Sequence, residues 1–192
     1  MPLHLAVWVV VAGFLAGSRA VPAASRVAFV TYGFALIAFV LLSVTFSCGP
    51  LGRRGGSALW KALLARQRAL GVYSFLVIAS HIACLWNFKY QWSFAKATGD
   101  GFHWIAFTLL HAAFLVLFAM FLTSNDAAVR ALGPGWKRLH RLGLLAYAVI
   151  ALGVLGATAK TPSLRLLFPV CLALALGVLA ARLSERKSHA RG

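Results

Sequence analysis

Four stretches of this chain, Val27–Cys48, Ala69–Phe88, Trp104–Leu122 and Leu142–Ala159, each run for 18 or more residues without a single Asp, Glu, Lys or Arg. A hydrocarbon core about 30 Å thick takes roughly 20 apolar residues to cross as helix. Inside lipid the backbone must satisfy its own hydrogen bonds, which restricts spanning segments to helices and closed barrels. Uncharged runs of this length therefore predict helices, and two further runs complete a set of six. Leu3–Ser18 is one of them. The other, Leu166–Ala181, is short and contains Pro169, but Leu164 and Leu183 extend it past Arg165 and Arg182, whose long side chains can snorkel to the interface. The expected fold is all-α, a polytopic bundle of six transmembrane helices. Composition agrees: 61% of the 192 residues are hydrophobic and 11% charged, with a mean hydropathy of +0.85, far from the balance of a soluble domain.

Charge sets the expected orientation. The chain carries 19 Lys and Arg against 3 acidic residues, for a formal net charge of +16. A nucleic-acid binder concentrates such charge on one folded face, whereas here it is divided among short segments that flank apolar runs, which excludes that class. The segments after the second, fourth and sixth spans hold 13 of these bases, among them Arg53, Arg54, Arg66, Arg68, Lys137, Arg141 and Arg186. The alternate segments hold 6. Cytoplasmic loops keep the excess of positive charge, so both termini are expected in the cytoplasm, in the plasma (bacterial inner) membrane. The long exterior loop is rich in interface aromatics (Trp86, Phe88, Tyr90, Trp92, Phe94, Phe102, Trp104), which suit headgroup depth.

Residues 1–26 read as a first helix with a short exterior loop, 27–181 as the main membrane unit, and 182–192 as a basic cytoplasmic tail. Ser18-Arg19-Ala20 is compatible with a cleaved signal, but Met1–Leu5 lacks the positive charge such a segment carries, which favours a retained helix. Short interfacial helices are expected after Ser57 and after Asn125 or Asp126, the latter stopped by Gly133-Pro134-Gly135. Cys48, Cys84 and Cys171 are widely spaced in apolar surroundings, which suits packing better than a disulfide framework or a zinc site.

With no Asp, Glu, Lys or Arg in the middle of any span, the ionisable groups at depth are histidines, and an intramembrane ionisable group is a functional candidate. His81 lies 12 positions beyond Ala69, and His111 lies 11 before Leu122 on a span of opposite direction. At the helical rise these are depths of about 18 and about 16 Å from the same edge. Two neutral imidazoles at one level can hold a haem iron between facing helices, or each can hydrogen-bond a neighbouring helix; the residues alone leave both open. His140, within Trp136–Arg141 at the mouth of the fifth span, is a candidate ligand for a second haem. Arg66, Arg68, Arg138 or Arg141 would pair with its propionates through the planar guanidinium fork, although interfacial snorkelling is the simpler reading. His4 and His103 sit at span ends and His189 in the tail, and all three are weaker candidates. The small residues Gly143, Ala146, Gly153, Gly156 and Ala157 allow close helix packing or room for a flat macrocycle.

Two motifs carry a resemblance. Arg66-Gln67-Arg68-Ala69-Leu70-Gly71 leads to Phe75 and His81. Leu122-Thr123-Ser124 leads through Arg130-Ala131-Leu132-Gly133 to Trp136-Lys137-Arg138-Leu139-His140-Arg141-Leu142. Across about residues 27–181 these resemble the ferric-reductase-like transmembrane family, and within it the haem-binding membrane subunits of the MsrQ (YedZ) type. The resemblance implies a membrane cytochrome with one or two haems, His81 and His140 as iron ligands, and electron transfer to an exterior acceptor such as a periplasmic reductase subunit. One departure stands out. The family carries a histidine 13 positions after the one matching His140, and this chain has Gly153 there. His111, at the same depth, is expected to take the place of that missing ligand; the competing expectation is an outer haem lost or altered.

No Cys-x-x-Cys-His is present, so a bound haem would be b-type and non-covalent. No G-x-G-x-x-G is present either, so electrons would come from a quinol or a flavoprotein, with quinone or flavin supplied by a partner. The contrasting reading is a haem-free or haem-depleted anchoring or assembly subunit of the same fold.

Overall fold

The computed structural model describes residues 3–53, 57–99 and 101–189, with side chains described for all of these except 101–103 and 185–189. Arg54 and Arg191 lie outside the described residues, as do the side chains of Phe102, His103, Arg186, Lys187 and His189. The described residues are helical and contain no strand. The helices are α1 (Leu3–Gly17), α2 (Ala23–Arg53), α3 (Ala58–Ala65), α4 (Gln67–Cys84), α5 (Phe94–Thr98), α6 (Gly101–Leu122), α7 (Asp126–Leu132), α8 (Pro134–Lys160) and α9 (Phe168–His189). Among the described residues six segments have the length and apolar character to cross a membrane, and each corresponds to one of the six expected runs.

The local signals act as their chemistry dictates. Asn125 caps α7, its side-chain oxygen accepting from the Ala128 amide at 2.8 Å. Gly133, at φ +48°, closes α7 in a conformation disfavoured for residues with a Cβ. Pro134 then starts α8, where its fixed φ suits the first turn and its missing N–H costs nothing. Ser57 precedes α3 as expected, but its side chain makes no cap hydrogen bond. The aromatic loop after α4 is partly helical: α4 runs into a π-helical turn, Leu85–Tyr90, before Gln91 and Trp92 adopt positive φ.

Four long helices form the frame. α2 packs along α4 and α6 along α8, with α2 also meeting α8 and α4 meeting α6; α9 lies against α2 and α8. The core centres on Ala38, Phe39 and Leu42 of α2, Ile78 of α4, Leu117 of α6 and Tyr147 of α8. Phe39 and Tyr147 stack with ring centroids 5.8 Å apart. The Tyr147 hydroxyl donates to Ser43 Oγ at 3.0 Å, and Ser43 donates to the Phe39 carbonyl at 2.7 Å, so a buried hydroxyl on α8 is satisfied through α2. The small residues of α8 are used for packing. A Cβ on Gly143 would lie 2.5 Å from Met120 Sδ, and one on Gly153 would lie 2.9 Å from Leu110 Cδ2, both on α6. Phe14 of α1 seats in the same way on Gly33 of α2. Cys48 and Cys171 are buried and Cys84 half-buried, all as free thiols.

Candidate functional site

The alternating helices leave the bundle with two unlike ends. One gathers the start of α1, the α2–α4 connection, the α6–α8 connection and the end of α9; it holds the basic clusters. The other gathers the π-turn, α5 and the aromatic side chains.

At the basic end the structure opens a cavity of about 1610 Å³. Its walls bring together His140, Arg66, Arg68 and Arg141, all singled out from sequence, with Lys137 and Trp136, while Arg138 lies outside the lining. The local fold explains the grouping. Gln67 donates to the Thr45 carbonyl at 2.8 Å and so ties the start of α4 to α2. Trp136 Nε1 donates to the Thr123 carbonyl at 3.1 Å, which clips the start of α8 to the end of α6. The two motifs therefore meet as two sides of one opening. The His140 ring stacks on Trp136 with centroids 3.7 Å apart, and its Nδ1 lies 3.0 Å from the Trp136 carbonyl. Arg68, half exposed, bridges to Asp126 at the start of α7, and the hydrogen bond from that guanidinium holds the Asp126 carboxyl below the usual carboxylate range. Arg141 is exposed.

His81 and His111 lie outside this cavity's lining, and they use different neighbours. His81 turns toward α2, with Nδ1 2.8 Å from the Thr31 carbonyl. The face of α4 that meets α6 carries Phe75, stacked on Phe121 at 4.6 Å, and Trp86 of the following π-turn lies against Phe107 of α6. His81 is six positions from Phe75, about 120° around the helix from that face. His111 places Nδ1 2.8 Å from the Phe107 carbonyl of its own helix and packs between the Phe107 ring, at 3.9 Å, and Trp86, at 6.1 Å. The two imidazoles do not share a face. Where Gly153 leaves space, Leu110 fills it, and His111 is the next residue along.

Despite these separate settings the three imidazoles share one chemical feature. A carbonyl oxygen can only accept, so in each ring Nδ1 carries the proton and Nε2 keeps an in-plane lone pair. That is the tautomer a metal-ligating histidine adopts when a second group orients it. For His111 the Nε2 is buried and has no hydrogen-bond partner among the described residues, a costly state for a polar atom that a ligand would relieve. The donor set fits a haem: free imidazole nitrogens for iron, and guanidinium groups for carboxylates.

One residue lining the cavity carried little weight in the sequence. His4, near the start of α1, faces the same opening and hydrogen-bonds through Nδ1 to the hydroxyl of Tyr73 on α4. The two lie 69 positions apart, so no local pattern announces the pair.

No family model matches the chain, and no solved structure does. Among curated proteins it is 32% identical over 159 residues to the protein-methionine-sulfoxide reductase heme-binding subunit MsrQ of Azospira oryzae. The matched stretch is 81% of this chain and 65% of that relative. With six membrane-length segments among its described residues, the chain has the character of a multi-pass membrane protein and is similar to this MsrQ subunit over less than two thirds of that relative's length.

Proposed function

We propose that this chain is a b-type haem subunit that passes electrons across the plasma membrane to an acceptor on the exterior face. The observation that carries the reading is His140: an imidazole fixed by Trp136, with Nε2 free, on the wall of a large cavity lined by guanidinium groups. The similarity to a subunit named as heme-binding supports it. Haem would supply one-electron redox chemistry when bound. The chain's own residues do the rest. His140 donates the Nε2 lone pair; the Trp136 carbonyl keeps the proton on Nδ1 and sets the ring plane; Arg141 and Arg66 receive carboxylates, with Arg68 shared between that task and Asp126. At depth, His81 and His111 are proposed as ligands, His111 taking the place left by Gly153, an arrangement that requires His81 to turn from the Thr31 carbonyl on α2 toward α6. The basic end faces the cytoplasm in this reading and takes electrons from a quinol or a flavoprotein. The acceptor at the aromatic end is a methionine sulfoxide reductase partner, the class that the relative's name indicates.

The test is the absorbance of the purified full chain. Soret and α bands that sharpen on reduction are expected, with haem content falling on His140→Ala. A colourless preparation after expression with ample porphyrin overturns the proposal. The seating of Leu110 on Gly153 favours a second reading, in which only the basic-end haem is kept. Under the first reading, His81→Ala and His111→Ala each remove one six-coordinate component. Under the second, neither variant changes the spectrum.

A further inference from the structure

We infer that His4 is a haem ligand at the basic end and forms an axial pair with His140. This rests on the haem reading above and names the residue that completes the site.

A single imidazole leaves one axial position of a haem iron open, so a second donor would have to come from the cavity wall. Among the lining residues the neutral nitrogen and sulfur donors are His4, His140 and Met120. Met120 is committed elsewhere, because its Sδ and Cε fill the notch at Gly143, at 2.5 and 2.8 Å from where a Cβ would stand. That directs the thioether at the backbone of α8. His4 remains. It comes from α1, whereas His140 comes from α8, so the two imidazoles reach the opening from different helices.

His4 is also held. Its Nδ1 pairs with the Tyr73 hydroxyl, and the two rings meet edge to face with centroids 5.5 Å apart. Trp8, one turn along α1, packs edge-on against the same tyrosine. A phenol both donates and accepts, so it suits either tautomer of the imidazole. With the proton on Nδ1, His4 donates to Tyr73 Oη and Nε2 is free to give its lone pair to iron. That step forms one nitrogen–iron bond and releases no proton. Tyr73 is then the orienting partner that metal-bound histidines have beyond the metal, a positioning residue rather than a ligand.

The charge of the walls matches such a guest. A haem brings two carboxylates, and Arg66, Lys137 and Arg141 line the same opening. Among the side chains described at that end, the acid Asp126 is already paired with Arg68.

The experiment uses the full chain purified with its haem and examined in the ferric state by optical absorbance and low-temperature paramagnetic resonance. His4→Ala is expected to convert the component that depends on His140 from low-spin to high-spin, with haem still bound, and added imidazole is expected to restore it. Tyr73→Phe is expected to stay low-spin and to shift the midpoint potential of that component upward, because an imidazole that loses its acceptor donates less to ferric iron. The exposed position of His4 leaves folding intact, which the unchanged remainder of the spectrum checks. A low-spin signal that survives His4→Ala but is lost on His140→Ala overturns the pairing while the haem reading stands, and loss on Met120→Leu would assign the ligand to the thioether. Absence of haem from the wild-type chain overturns both.

Discussion

Tyr147 illustrates what one polar atom does in a lipid-embedded bundle. Its ring stacks on Phe39, and its hydroxyl reaches the α2 backbone through Ser43. Interhelical hydrogen bonds in membranes average only about 0.6 kcal/mol, so Tyr147→Phe should lower stability by about that amount. Thermal unfolding in detergent should show a small decrease, with the ring stack preserved. The histidines were legible for the reason that makes them costly: they are the ionisable residues left inside uncharged runs. Their facing was not. Depth follows from counting along one helix, but direction depends on which neighbour lies at each phase, and the sequence does not state that His81 looks toward α2 while the α6-facing side carries Phe75. His4 carried little weight for a related reason, since its partner Tyr73 belongs to another helix.

At the level of elements the spans were readable and their ends less so. α2 continues beyond Cys48 through Gly49 and Pro50 to Arg53, and α8 begins at Pro134 rather than Leu142. Both extensions run through basic residues, which long aliphatic stems allow at an interface; a criterion built on uncharged runs stops short of them. The two recognisable motifs turn out to be joints as well as signatures, through Gln67 on Thr45 and Trp136 on Thr123. Gly52 is a third joint. A Cβ there would lie 2.9 Å from Leu64 Cβ and 3.0 Å from the Trp60 carbonyl, neither of them a flexible tip. Gly52→Ala should therefore force α3 away from α2, at a cost of about 1–3 kcal/mol. Gly156→Ala, with nothing within 4 Å, should stay within about 1 kcal/mol of the parent; paired melts separate the two.

The joint between α4 and α7 responds to pH. Because Arg68 lowers the Asp126 pKa, the contact is present above the carboxylate's unfolded value and is lost as pH falls through the lowered one. The thermal midpoint of the wild type should drop more steeply than that of Asp126→Asn on acidification through that range, by a small margin since both groups are exposed.

For the whole molecule, the sidedness proposed from charge can be read directly. In a background lacking Cys48, Cys84 and Cys171, Ala95→Cys on α5 should react with a membrane-impermeant thiol reagent from outside the cell. Ala131→Cys on α7 should react only after permeabilisation. The reverse pattern would invert the assignment of both ends. The grouping of guanidinium and ammonium groups at one end, described above as the wall of a cavity, also acts as a keel. Turning the bundle over would draw Arg53, Arg66, Arg68, Lys137 and Arg141 through hydrocarbon, at about 2.5–3.5 kcal/mol for each charge on insertion scales. Together these add about 12–18 kcal/mol to the barrier against inversion, on top of the cost of carrying the polar loop backbone through lipid, and so hold the orientation taken at insertion.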